Sequence, residues 1–193
     1  MLGENAFAGA DKLTAISHVD IPNGTITSFS YMFAGAKSFN DSIENWDISK
    51  ATDISGIFID APSFNQPIDN WDTSNVENMW NAFRDAKEFN QPLSHWDTSK
   101  VTNMESMFDG ASAFNQPLND WNTSKVQDMS AMFENAAAFD QSLWLWSVSK
   151  VLTSGKYTNM FKNTALSQTN WNEMITQNPV WAEMNKSFLG IKY

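Results

Sequence analysis

Apolar side chains recur along this chain at a fixed interval of 25 residues, with polar residues holding equally fixed places between them. One copy runs Phe64-Asn65-Gln66-Pro67-Ile68, then Trp71-Asp72-Thr73-Ser74-Asn75-Val76, then Met79, Phe83 and Ala86. The next runs Phe89-Asn90-Gln91-Pro92-Leu93, Trp96-Asp97-Thr98-Ser99-Lys100-Val101, Met104, Met107-Phe108 and Ala111. A third follows from Phe114-Asn115-Gln116-Pro117-Leu118 through Trp121 and Val126 to Met132-Phe133 and Ala136. Looser copies flank these, one holding Phe39-Asn40, Trp46-Asp47 and Phe58, the other Phe139-Asp140-Gln141, Trp146 and Met160-Phe161. The last carries about three extra residues around Ser154-Gly155-Lys156, an insertion suited to a surface loop.

Identical residues at one period arise when each repeat is one coil of a solenoid, because a given side chain then lands on its counterpart in the coil before. The Phe column 39, 64, 89, 114, 139, the Trp column 46, 71, 96, 121, 146 and the Phe column 33, 58, 83, 108, 133 are therefore expected to be core ladders. Within a coil, Val101, Met104, Met107, Phe108 and Ala111 fall at helical spacing. Ser99 is placed to cap that helix, and Ser74-Asn75-Val76-Glu77 has the form of a capping box. Pro92 excludes a helix through the Gln-Pro step, so a brief strand is predicted near Leu93 to Asp97, parallel to those of neighbouring coils. The predicted fold class is α/β, a right-handed leucine-rich-repeat-like solenoid with one short parallel strand and one short helix per coil.

Three segments of a single solenoid domain are expected: N-terminal leucine-rich-type coils over 1–38, five 25-residue repeats over 39–163, and a helical C-terminal cap over 164–193. Phe7-Ala8-Gly9-Ala10 returns as Phe33-Ala34-Gly35-Ala36, which ties the first segment to the array. Trp171, Met174, Ile175, Trp181 and Met184 suggest one or two helices broken at Asn178-Pro179, and Phe188 to Tyr193 extends that cap or leads onward to further domains.

The repeated polar residues have structural readings first. The Asn column at 40, 65, 90 and 115, ending in Asp140, can bond backbone in its own and the adjacent coil. Asp47, Asp72, Asp97 and Asn122 suit local turn bonds, with lysines at 50, 100, 125 and 150 close enough in sequence to screen them.

The 193 residues carry 22 acidic and 12 basic side chains, a formal charge of −10 that disfavours nucleic acid as a partner. Absence of cysteine removes disulfides, thiolate metal sites and cysteine nucleophiles. No apolar run reaches transmembrane length, so membrane insertion is not expected, and Met1 to Asn5 lacks the pattern of a signal peptide. From the residues alone, either the protein is cytoplasmic or a leader lies outside this sequence.

Catalytic signatures are missing: no dinucleotide-binding, phosphate-loop, serine-hydrolase or zinc-protease string occurs, and the two histidines, His18 and His95, stand far apart in repeat order. Asp69 and Asp72 could be imagined as a glycosidase pair, but acids repeated in register argue against a site needed once. Solvated turn carboxylates are preferred over a calcium site as well. Neither enzyme activity, cofactor nor metal is expected.

The repeat F-N-Q-P-[IL]-x-x-W-D-T-S-[KN]-V-x-[ND]-M-x-x-M-F-x-x-A, over residues 39 to about 163, resembles the 25-residue repeat of BspA-like bacterial surface proteins of leucine-rich-repeat type. Residues Gly3 to Pro22 resemble the sister repeat of the same proteins, with Ala10 where a cysteine is often found. The resemblance implies a secreted or surface-anchored module, without catalytic residues, that binds host, neighbour-cell or matrix protein or glycan.

Candidate partner-binding residues are the pair that varies before each Trp: Asp69-Asn70, Ser94-His95, Asn119-Asp120 and Trp144-Leu145. On the predicted strand face this stripe would meet a partner, and Trp144-Leu145 would be either covered by the cap or an exposed hot spot. The expected function is extracellular recognition or adhesion by a monomer. A structural spacer or stalk is the alternative, and ice or crystal-surface binding through Thr73, Thr98 and Thr123 a remote one.

Overall fold

The computed structural model describes residues 3–16 and 24–191. His18, the stretch up to Pro22, and Lys192-Tyr193 at the end of the cap lie outside the described residues.

Where the sequence predicts a helix, the chain instead makes a run of overlapping turns. Between Met104 and Ala111, alternate N–H groups leave the coil: Met104 donates to Asp128 O (3.0 Å), Ser106 to Ser130 O (2.9 Å), Phe108 to Met132 O (2.8 Å) and Gly110 to Glu134 O (2.8 Å). The intervening N–H groups close short turns, Met107 to Met104 O, Asp109 to Ser106 O and Ala111 to Phe108 O. Ser106 (φ 53°) and Gly110 (φ 73°) sit in the left-handed region, and equivalent pairs four residues apart recur at Tyr31/Gly35, Gly56/Asp60, Asn81/Asp85, Ala131/Asn135 and Asn159/Asn163. An α-helix would return every N–H to its own segment and admit no left-handed residue every fourth position. Half the donors here find a better-placed acceptor on the adjacent coil. Turns of this kind also bring every third or fourth side chain to one side, which is why the apolar spacing imitates a helix. Ser99 and the Ser74 to Glu77 box accordingly cap nothing.

The predicted strand is absent too. Trp96 N bonds Leu93 O in a turn, and Ser94-His95 form its corner. Parallel pairing occurs elsewhere, as single-residue bridges linking Ser28, Asp53, Asn78, Asn103 and Asp128. One residue per coil is too short for a strand, and no sheet forms among the described residues. The α/β leucine-rich-repeat class is thereby overturned, together with its strand face and its helix per coil.

Successive repeats nonetheless touch at equivalent residues. Trp71, Trp96, Trp121 and Trp146 stack with ring centroids 6.2–6.4 Å apart and planes within 9°. Phe64, Phe89, Phe114 and Phe139 stack at 5.9–6.3 Å. The inner column Phe33, Phe58, Phe83, Phe108, Phe133 and Phe161 is spaced at 5.4–5.8 Å. Each such contact contributes roughly 0.5–1.5 kcal/mol beyond its burial. Each of these four Trp also reaches back to the previous coil, Trp96 Nε1 donating to Ile68 O at 3.0 Å and Trp121 Nε1 to Leu93 O at 3.0 Å.

Helices gather at the C-terminal end. The inserted residues form α1 (Ser149–Ser154), stopped by Gly155 at φ 72°. Then come α2 (Gln168–Gln177), capped by the Ser167 side chain, α3 (Val180–Glu183) and α4 (Lys186–Leu189). They bury Trp171, Met174, Trp181 and Leu189 against the last coil, where Trp181 lies 6.2 Å from Phe161.

Candidate functional site

The repeated Asn and Gln side chains are engaged between coils, whereas the column of Asp47, Asp72, Asp97 and Asn122 stays exposed and bonds locally. Asn90 Oδ1 accepts Asn115 N (2.9 Å) and Gln116 Nε2 (3.0 Å), and the same three-residue clasp joins Asn40 to Asn65-Gln66, Asn65 to Asn90-Gln91 and Asn115 to Asp140-Gln141. Asp140 passes it to the cap, accepting Ser167 N and Asn170 Nδ2. The Asn-Gln pairing of the repeat is thus a coil-to-coil fastener.

The carboxylates of Asp47, Asp72 and Asp97 each accept the backbone N–H two residues on, with Asn122 acting likewise. Hydrogen bonds from Ser49 to Asp47 and from Ser99 to Asp97, side chain first and backbone second, hold both carboxyls below the usual aspartate range. Thr73, Thr98 and Thr123 are about 1% exposed, and their hydroxyls donate to Asp97 O, Asn122 O and Ser147 O. Ice or crystal-surface binding through this threonine column is overturned, since hydroxyls buried between coils meet no surface.

The candidate pairs before each Trp lie at successive turn corners and make an outward ridge in place of the expected strand face. Asp69 is its best-connected member, accepting His95 N at 2.9 Å, His95 Nδ1 at 2.6 Å and Ser94 Oγ at 3.3 Å. Asn70 donates to Glu44 Oε1 (2.8 Å), and Asn119 Oδ1 accepts Leu145 N (2.9 Å). Asp120 is exposed at its corner. Trp144 and Leu145 separate: Trp144 packs half-buried on the core with its carbonyl bonded by Asn178, whereas Leu145 is 49% exposed. The ridge thus brings Asp69, Ser94 and His95 together and keeps Asn119, Asp120 and Leu145 beside them in register.

A second irregular surface escapes the repeat consensus. The position held by Ser30, Ser55 and Ser130 carries Trp80 in one coil and Glu105 in the next, and the following position, glycine at 56, carries Tyr31 one coil earlier. Gly56 lets Tyr31 lie across its coil: a Cβ there would stand 2.7 Å from Tyr31 Cε1. The Tyr31 ring then meets Trp80 at 6.3 Å and 83°, an edge contact between two half-buried aromatics. Beside them, Asn81 is only 4% exposed and its Oδ1 has no partner, although its N–H bonds Glu105 O.

Further along this face, burial first and the Asp128 charge second push the Glu105 carboxyl up, against the opposing pull of Lys156. Lys156 is itself raised, by its hydrogen bond and ion pair to Asp128 at 3.0 Å. Asp109, on the adjoining side, is pushed up by burial although Arg84 stands 3.4 Å away. Sequence reading had one usable signal for this face, the departure of Tyr31, Trp80 and Glu105 from otherwise small residues in their columns.

Among the described residues, no group of three or more His, Asp and Glu side chains is arranged to hold a metal ion. No helix among them is long and apolar enough to cross a membrane. Among known proteins, the profile of the family described as "Mycoplasma protein of unknown function, DUF285" matches twice, over residues 3–97 and 68–175. No curated protein and no solved structure matches.

Proposed function

We propose a function from one premise: this chain belongs to the DUF285 family, whose profile spans nearly all of its coils. It acts as a non-catalytic recognition module at the cell surface, where it binds a protein or glycan. The observation that carries this reading is the division of labour in each coil. Repeated residues are buried or hydrogen-bonded within the stack, while unlike residues occupy the corner ridge and the Tyr31, Trp80, Glu105 face. A frame that is uniform inside and varied outside is what extended recognition surfaces of repeat proteins require. The resemblance to BspA-like surface repeats supports an extracellular setting.

The test is a screen of the purified chain against surface glycans and extracellular matrix proteins, followed by alanine variants of Ser94, His95, Asn119, Asp120 and Trp80. Binding should fall at least about tenfold in one or more of them, with little change in melting for the four ridge variants, whereas Trp80→Ala also loses the edge contact with Tyr31 and should lower melting. Retention of full binding in all five variants would refute this placement of the surface. Absence of any ligand, with cell adhesion of the parent surface protein preserved after an unrelated rigid repeat replaces this one, would favour the spacer role.

A further inference from the structure

We propose that the N-terminal end of the stack is a docking edge for one further coil of the same turn type. Residues 3–13 already follow the coil pattern. Asn5 (φ 59°) and Gly9 (φ 72°) repeat the left-handed pair, and Asn5, Phe7 and Gly9 donate to Ser30 O, Met32 O and Ala34 O. In every interior coil the three carbonyls at the positions of Glu4, Ala6 and Ala8 receive such donors, as Glu105, Met107 and Asp109 do from Asn81, Phe83 and Asp85. Glu4, Ala6 and Ala8 are exposed, and among the described residues their carbonyls accept nothing.

Apolar contacts stop at the same edge. Phe33, Phe58, Phe83, Phe108 and Phe133 are 0% exposed, and so are Ala36, Ala61, Ala86, Ala111 and Ala136. Their counterparts Phe7 and Ala10 are only half-buried, and among the described residues Phe7 stacks on Phe33 alone, at 5.4 Å. The opposite end differs. There the outgoing donors Asn159 N and Phe161 N are taken by Phe188 O and Leu189 O, and Phe161 is covered by Trp181.

One end is therefore a closed donor edge and the other, among the described residues, an open acceptor edge, continuous with the coil-to-coil interface. A second copy does not fit, because its own open end presents carbonyls to carbonyls. What fits is a segment offering an N–H at every second residue and an aromatic ring for Phe7, the chemistry of another coil.

A copy of residues 79–103 fused directly ahead of Gly3 tests this, since it sets the copied Phe83 in register with Phe7 and the copied Asn81, Phe83 and Asp85 N–H groups opposite Glu4, Ala6 and Ala8. The chain has no cysteine, so an Ala10→Cys variant reports on cover at the edge through the rate of thiol labelling. With the added coil, labelling should slow at least about tenfold and melting should rise, while a scrambled fusion of equal composition does neither. Equal labelling with the ordered and scrambled fusions would overturn the proposal. So would light scattering that shows the unextended chain to be a dimer with this thiol already protected, which would assign the edge to a second copy.

Discussion

The side-chain oxygen of Asn90 accepts the backbone N–H of Asn115, 25 residues further along, at 2.9 Å, and holds Gln116 Nε2 at 3.0 Å with the same atom. Asn90→Leu leaves the Asn115 N–H without its acceptor between coils, while Gln116 Nε2 keeps only its second bond, to the Asn90 carbonyl at 3.0 Å. It should cost about 1–3 kcal/mol in urea denaturation. Asn90→Asp keeps the acceptor and should cost less, as Asp140 performs the same task toward Ser167 and Asn170.

Trp96 contributes packing and one hydrogen bond, and two substitutions separate them. Trp96→Ala opens a cavity between Trp71 and Trp121 and should destabilise by about 3–5 kcal/mol. Trp96→Phe keeps much of the stack but loses the bond to Ile68 O. That carbonyl retains Trp71 N as a donor, so the added cost of the missing bond should be about 1 kcal/mol in thermal melts.

Gly56 has φ 58° and lies beneath the Tyr31 ring. Gly56→Ala should destabilise by more than about 1 kcal/mol, through backbone strain and collision with that ring. Tyr31→Ala in the same chain should recover part of the loss. A double-mutant cycle that shows strict additivity would contradict the contact.

Glu105 provides the pH dependence. Its carboxyl is raised in the folded chain, so at neutral pH its ionisation favours unfolding, and that penalty is relieved as pH falls through its folded value toward the ordinary 4.5. Glu105→Gln should therefore raise the melting temperature at pH 7, with the gain vanishing near pH 4. Asp47 and Asp97 have the opposite sign: their lowered values add stability that is present above the usual 3.8 and is lost as pH drops below it.

How far the sequence reached depends on which neighbour satisfies each group. The period, the columns Phe89, Trp96 and Phe108, and the turn role of Asp97 were legible because identical residues at one interval must meet when coils stack. The corner pairs from Asp69-Asn70 to Trp144-Leu145 were legible as variable positions, though as the turns of a ridge and not the face of a sheet.

The secondary structure was not legible. Met104, Met107, Phe108 and Ala111 have helical spacing, yet Ser106 and Gly110 turn left-handed and alternate N–H groups cross to residues 128–134. A backbone donor has no identity in the sequence, so whether it bonds its own segment or the next coil is settled only once the coils are stacked. The contact between Tyr31 and Trp80 is of the same kind. It joins residues 49 apart across a glycine in the coil between them, and only the tertiary arrangement, with no Cβ at Gly56 to keep the rings apart, brings it about.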